Sequence, residues 1–389
     1  MTEDRGDPAP ARTRRGGGTV VVTGAGVLSA FGRGVDPLLD AAFAGRAGFA
    51  PVRRFDVGAR RVRVAATLPG APVLADELVD VVALACDEAG LSRTQRADCA
   101  LFLAVHGDPA LARAPGAEQA GHGADALAAG VATRAGLSGT TRAYTSACVA
   151  ASTAVADAAA TIARGRAERI VVAAGYLVDA DQFALFDAGR ALAVDGQVRP
   201  FSAGRTGLLL GDGVAAIVVE SAPAARSRSV PVLARLAGWG RTGDGYHVCQ
   251  PRPDGAGLAG AVSAALDRAQ VTPDQIGYVN AHGSGTRQSD VAETAALHRA
   301  LGRHAATVPV SSTKSIHGQA LEASALLELV VTMHALRQGR LPVNAGYLGP
   351  DEDCRLDVVD RPRAARPGYA LSLNAAFGGA NTALLVGAP

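Results

Sequence analysis

An α/β fold made of two similar halves is predicted by three observations. Short runs of β-branched and small apolar residues have the length and composition of buried strands: "TVVVTGAG" (19–26), "ERIVVAAG" (168–175), "AAIVVES" (215–221) and "IGYVNAHG" (276–283). Ala-rich segments such as "ASTAVADAAATIARG" (151–165) read as helices between them. Two near-repeats then divide the chain. "ALACDEAGLSRTQRADCALFLAVHG" (83–107) parallels "SAALDRAQVTPDQIGYVNAHG" (263–283), each a helix, a turn, a strand and His-Gly. "AVADAAATIARGRAERIVVAAG" (154–175) parallels "LLELVVTMHALRQGRLPVNAG" (326–346). Members of each pair lie roughly 175–180 residues apart, the spacing of a duplicated half and not of a solenoid repeat. The halves, 19–225 and 226–389, meet near "SAPAARSRSV" (221–230), with buried helices between sheet layers.

Composition narrows the function classes. Of 389 residues, 48% are hydrophobic and 19% charged, which implies a large core, and aromatics at 4% imply close packing through small side chains. A net charge of +2 gives no reason to expect nucleic acid. The five cysteines (86, 99, 148, 249 and 354) have neither disulfide-framework nor metal-ligand spacing, so no metal is expected and the reducing cytoplasm is the expected compartment. No apolar run reaches membrane-spanning length. Residues 1–18, "MTEDRGDPAPARTRRGGG", read as a disordered tail.

Three segments could carry chemistry. "YTSACVAASTAVADAAA" places Cys148 at a turn entering a small-residue helix, whose unpaired N–H groups favour a thiolate; the bland alternative is a buried small hydrophobe, the reading given to the other four cysteines. "VNAHGSGTRQSD" puts His282 at a strand end before a Gly/Ser loop, where α/β proteins place catalytic groups, although a lone histidine is more often structural. "LNAAFGGANTALLVG" supplies a Gly-Gly turn, either an approach to substrate or a tight bend between strands. "VVVTGAGVLSAFG" lacks the full Gly-x-Gly-x-x-Gly spacing and a following acidic residue, which argues against a nicotinamide site. Lys314, in "SSTKSIHGQALEAS", is the chain's only lysine; the remaining 37 of 38 basic residues are arginine.

Taken together, these segments resemble the β-ketoacyl-acyl-carrier-protein synthases of the thiolase-fold superfamily. The likeness runs from about Thr19 to the end, through "VVVTGAGVLSAFGRGVD", "TSACVAAS", "RPFSAGRTGLLLGDGVAAIVVES", "NAHGSGTRQSDVAET", "VSSTKS" and "FGGANTALLV". It is strongest toward ketosynthases and chain-length-factor subunits of type II polyketide systems. The resemblance implies a layered α-β-α-β-α sandwich and a dimer, either of identical chains or of ketosynthase with chain-length factor. It also implies an acyl-carrier protein partner with substrates on its phosphopantetheine arm, no bound cofactor, and no nucleic-acid or membrane partner.

The implied chemistry is acyl transfer to Cys148, then decarboxylative condensation with a malonyl extender. His282 would stabilise the developing enolate, and Lys314, paired with Glu328, would set charge around it; Asp290 is a supporting residue. The family reads Lys-Ser-x-x-Gly-His where this chain reads Lys314-Ser315-Ile316-His317-Gly318-Gln319. Gln319 therefore occupies the second histidine's position and is favoured to face the pocket, with His317 as the alternative. Alignment on Gly378 and Gly379 puts Ala375 at the family's gating phenylalanine, with Phe377 following. The stretch between Gly107 and Cys148, which normally supplies pocket and dimer contacts, is short. A non-condensing partner subunit, and an acyltransferase or cyclase that does not decarboxylate, are the competing readings.

Overall fold

The computed structural model describes residues 18–107 and 123–389. The expected tail (1–18) lies outside the described residues except for Gly18, as does most of the short stretch after Gly107.

Each half runs strand–helix–strand–helix–strand–helix–strand–strand, with helices Val35–Ala44 and Ala180–Ala188 and several short elements outside this pattern. In the first half these are β1 (Val20–Ser29), α1 (Leu74–Glu88), β2 (Ala100–Ala104), α2 (Ala124–Arg134), β3 (Thr141–Tyr144), α3 (Ala150–Ala163), β4 (Arg169–Tyr176) and β5 (Gly213–Ser221). In the second they are β6 (Ala234–Gly243), α4 (Ala256–Ala269), β7 (Ile276–Asn280), α5 (Arg287–Leu301), β8 (Pro309–Ser311), α6 (Ser324–Gln338), β9 (Tyr369–Ala375) and β10 (Ala380–Gly387). The spatial order is β3-β2-β4-β5-β1 in one half and β8-β7-β9-β10-β6 in the other, so the duplication extends to topology. In both, the second strand lies parallel to its two neighbours and the remaining pairings are antiparallel.

Strand alternation explains the layers. Ile170, Val172 and Ala174 of β4 face α3 and α6 in a central core, whereas Val171 and Ala173 face α1 and α2. In β9, Ala370 faces the central core, whereas Leu371 and Leu373 pack against α4 and α5. Helix α6 is buried at every position from Ser324 to Leu336, as a helix between two sheets must be. This is the α-β-α-β-α sandwich of the thiolase-like fold.

Two details depart from the sequence reading. The layers are not separate sheets: β1 and β6 pair at Val21–Arg235 and Val22–Ala234, closing what would be the edge strand of each half. The second near-repeat holds for its helix alone. After α6 only Arg340–Leu341 extend, pairing with Arg363–Ala364 in a small separate sheet, and the counterpart of β4 is β9.

The glycines of "TGAG" serve packing. A Cβ on Gly24 would stand 2.1 Å from the Ala85 carbonyl oxygen, and one on Gly26 2.2 Å from that of Val81, both in α1. Gly238 and Gly240 of β6 meet Ala265 and Ala261 of α4 in the same way. The helix needs bare backbone to lie this close, which accounts for the pattern without a nucleotide.

Candidate active site

Cys148 occupies a single 3₁₀ turn, Ala147–Val149, that feeds α3. Ala147 holds φ +49°, left-handed backbone that costs a side-chain-bearing residue about 1–3 kcal/mol and recurs at functional sites. The helix terminus does not lower this thiol as the sequence led us to expect. Burial pushes it up to about 12, Glu322 adds to the rise, and Lys314 opposes it. A helix end contributes about 0.3–1 kcal/mol, less than the cost of removing a charge from water.

Gln319 faces this thiol. Its Nε2 donates to Cys148 Sγ at 3.3 Å, while its Oε1 accepts from Ser324 Oγ at 2.6 Å. The local backbone sets the direction. A one-turn helix, Lys314–His317, ends at Gly318 with φ +76°, and Gln319 then runs extended beside Leu210, its N–H on the Leu209 carbonyl at 2.7 Å. His317 is still helical, so its ring turns back one turn to Thr313, with Nε2 3.1 Å from Oγ1. It is fully buried, does not line the pocket that holds Cys148, and burial lowers its pKa to about 3.

His282 stands just past β7. Its backbone N–H and that of Gly283 each donate to Glu293 at 2.7 Å, which fixes the turn. Burial, then Lys314, hold the imidazole well below its ordinary pKa, so it is neutral. Its Nδ1 is buried and finds no hydrogen-bond partner among the described residues. Lys314 Nζ donates to the His282 carbonyl at 2.8 Å and to Glu328 Oε1, and Asn374 Nδ2 donates to Glu328 Oε2 at 2.6 Å. Lys314 is 1% exposed and Glu328 fully buried. A slender ammonium fits between a carbonyl and a carboxylate where a planar guanidinium has no room to fork. Asp290 accepts from the Phe201 and Gly285 amides and faces Arg205, bracing the Gly/Ser loop.

Cys148, His282, Gln319, Ala375 and Phe377 line one pocket of about 350 Å³. Gly378 (φ +85°) and Gly379 (φ +76°) form the bend between β9 and β10 that carries Phe377, and the Gly378 N–H donates to the Val248 carbonyl at 2.7 Å. Phe377 is exposed and stacks on Phe186, ring centroids 6.1 Å apart. Ala375 lines the same pocket and adds little bulk to it.

Residues 78–225 match the family model for the beta-ketoacyl synthase N-terminal domain, and 233–347 that for the C-terminal domain. A Streptomyces cyaneus chain named as a polyketide beta-ketoacyl synthase 1 is 35% identical over 95% of this chain and 98% of its own length. The chain belongs to the beta-ketoacyl synthase family. Among solved structures, the ishigamide ketosynthase/chain length factor superposes with a TM-score of 0.88 at 28% identity, over 96% of this chain and 99% of that one. A beta-ketoacyl synthase from Burkholderia phymatum gives 0.86 at 29%, over 96% and 100%.

A ketosynthase is an acyltransferase of the 3-oxoacyl-carrier-protein synthase type, and that is this chain's activity class. Sequence reasoning missed several residues of this ketosynthase pocket: Phe186, Arg190, Cys249, Ser284 and Thr286. It also missed Glu293, whose one available signal was an acid eleven residues after His282, on a helix turning back under it. No helix among the described residues is long and apolar enough to cross a membrane.

Proposed function

We propose that this ketosynthase loads an acyl chain onto Cys148 from the phosphopantetheine arm of an acyl-carrier protein, in a type II polyketide or fatty-acid-like pathway. A malonyl unit on a second carrier arm is then decarboxylated, and its carbanion attacks the thioester. The observation that carries this reading is the Gln319–Cys148 contact in a pocket shared with His282. Loss of CO₂ leaves negative charge on a thioester oxygen. The neutral imidazole of His282 and the carboxamide N–H of Gln319 are two donors able to meet it, neither needing to titrate. Lys314, Glu328 and Asn374 hold the His282 turn rigid. Phe377, Gly378 and Gly379 shape the pocket mouth.

A second ketosynthase-like chain completes the assembly in this reading, either a copy of this chain or a chain-length factor. The likeness to a ketosynthase/chain length factor pair supports it. One observation favours a narrower activity, acyl transfer without decarboxylation, or service as the partner subunit: a carboxamide stands where the family has its second imidazole. Intact-mass analysis after incubation with acyl-carrier protein, with and without malonyl-carrier protein, separates the cases. Condensation predicts an acyl-Cys148 adduct that disappears as extended product forms. An adduct that persists with malonyl-carrier protein leaves the transferase reading; no adduct leaves the partner subunit.

A further inference from the structure

Ser324 is the first residue of α6 and is fully buried. Ala323, Ala325, Leu326 and Leu327 flank it, all of them buried. A hydroxyl in such surroundings costs free energy unless it is bonded. Ser324 Oγ meets two groups of one short stretch: it accepts from the Ala320 N–H at 2.8 Å and donates to Gln319 Oε1 at 2.6 Å. The turn between them brings these groups together. Leu321 holds φ +40°, a left-handed conformation uncommon for a residue with a side chain, and the 3₁₀ turn Leu321–Ala323 then leads the chain back into α6.

These contacts run in one direction. The Ala320 N–H donates to Ser324, the Ser324 O–H to the Gln319 carbonyl, and the Gln319 N–H to Cys148 Sγ at 3.3 Å. Each bond polarises the next, so the donor end of the series stands in the pocket. Gln319 Nε2 carries two hydrogens and gives one to the sulfur, which leaves the other for a substrate oxygen. The reverse orientation of the amide is unfavourable at both ends. It would set Oε1 against the sulfur, and it would take from the Ser324 proton its one acceptor among the described residues.

We propose that Ser324 is a positioning residue for decarboxylation, holding the Gln319 amide so that an N–H meets the oxygen that gains charge as CO₂ leaves. The bond from the malonyl carbon to its carboxylate breaks, the electron pair passes to the thioester as an enolate, and CO₂ departs. Ser324 and Gln319 keep their protons throughout. Ser324 acts through Gln319, since it does not line the pocket that Gln319 shares with Cys148 and His282. This role rests on the reading that Gln319 serves the condensation.

The test compares wild type with Ser324→Ala, Gln319→Ala and the double variant. Three quantities are read: kcat and KM for CO₂ release from malonyl-carrier protein, single-turnover acylation of Cys148, and the thermal midpoint. Ser324→Ala should lower kcat for CO₂ release about tenfold, short of the 10²–10³ expected when the donor itself is lost. KM and Cys148 acylation should stay as in wild type. The double variant should release CO₂ no more slowly than Gln319→Ala, because without the amide the hydroxyl has nothing to orient. Unchanged CO₂ release in Ser324→Ala would overturn the proposal, even with a lower thermal midpoint. So would a raised KM at constant kcat, or losses that multiply in the double variant, each of which describes a role apart from Gln319. Should Ser324→Ala not fold, wild type labelled with ¹⁵N only at glutamine decides. A nuclear Overhauser effect from the Gln319 amide protons to the Cys148 β protons is expected, and its absence would overturn the proposal. If wild type acylates Cys148 but releases no CO₂, the functional reading fails and takes this role with it, an outcome distinct from the others.

Discussion

The carboxamide of Gln319 is clamped between Cys148 Sγ, 3.3 Å from its nitrogen, and Ser324 Oγ, 2.6 Å from its oxygen. The clamp fixes the amide orientation, so an N–H, and not the carbonyl, points at the Cys148 sulfur. The position that the family resemblance assigns to a histidine holds a carboxamide donor that does not titrate.

Removing that donor should separate the two half-reactions. Gln319→Ala is expected to lose about 10²–10³ in CO₂ release from malonyl-carrier protein, while Cys148 still acquires an acyl group. His317→Ala should change CO₂ release far less, because His317 does not line the pocket. CO₂ trapping together with intact mass reads both. A larger loss in His317→Ala than in Gln319→Ala would contradict the assignment.

Cysteine labelling should run opposite to the order that a helix-end thiolate implies. Cys249 is the exposed cysteine and lines the pocket mouth, whereas burial raises Cys148 to about 12. Iodoacetamide at neutral pH should therefore mark Cys249 first. Cys148 should follow only as pH rises, about tenfold per unit with no plateau below pH 10, since the thiolate is the reactive form. Peptide mapping over time measures this, and early labelling of Cys148 would refute it.

Lys314 and Glu328 should behave as a buried pair. Lys314→Met leaves the Glu328 carboxylate unpaired, which typically costs about 3–5 kcal/mol. Adding Glu328→Gln should recover part of that loss, because the stranded charge is removed. Lys314→Arg should also destabilise, having no room for a guanidinium beside the His282 carbonyl. Denaturant midpoints of the single and double variants give the coupling; strictly additive effects would deny it.

The brace under His282 should depend on pH. Burial raises Glu293 from 4.5 in the unfolded chain to about 8 in the folded one, so the folded state binds the extra proton. Its contribution to stability is complete below about pH 4.5 and is lost as pH rises to about 8. The stability gap between wild type and Glu293→Gln should therefore narrow from pH 5 to pH 8.5. Urea midpoints across that range test the sign, and a widening gap would reverse it.

Much of this protein was legible in its sequence because the signals are local or repeated. Period and composition marked the strands and helices, and the duplicated helix–strand–His-Gly unit disclosed two halves. Lys314 stood out as the only lysine, and Cys148, His282 and Lys314 sit in short motifs whose order is carried by the chain itself. Other features required three dimensions. Whether His317 or Gln319 meets Cys148 depends on where a one-turn helix stops, and Gly318 and the Leu210 bridge decide that. The state of the Cys148 thiol depends on how much water its neighbours exclude, which outweighs the helix end visible in sequence. Glu322 and His106, 216 residues apart, meet only when the two halves fold face to face, because long-range proximity leaves no local mark on a single chain.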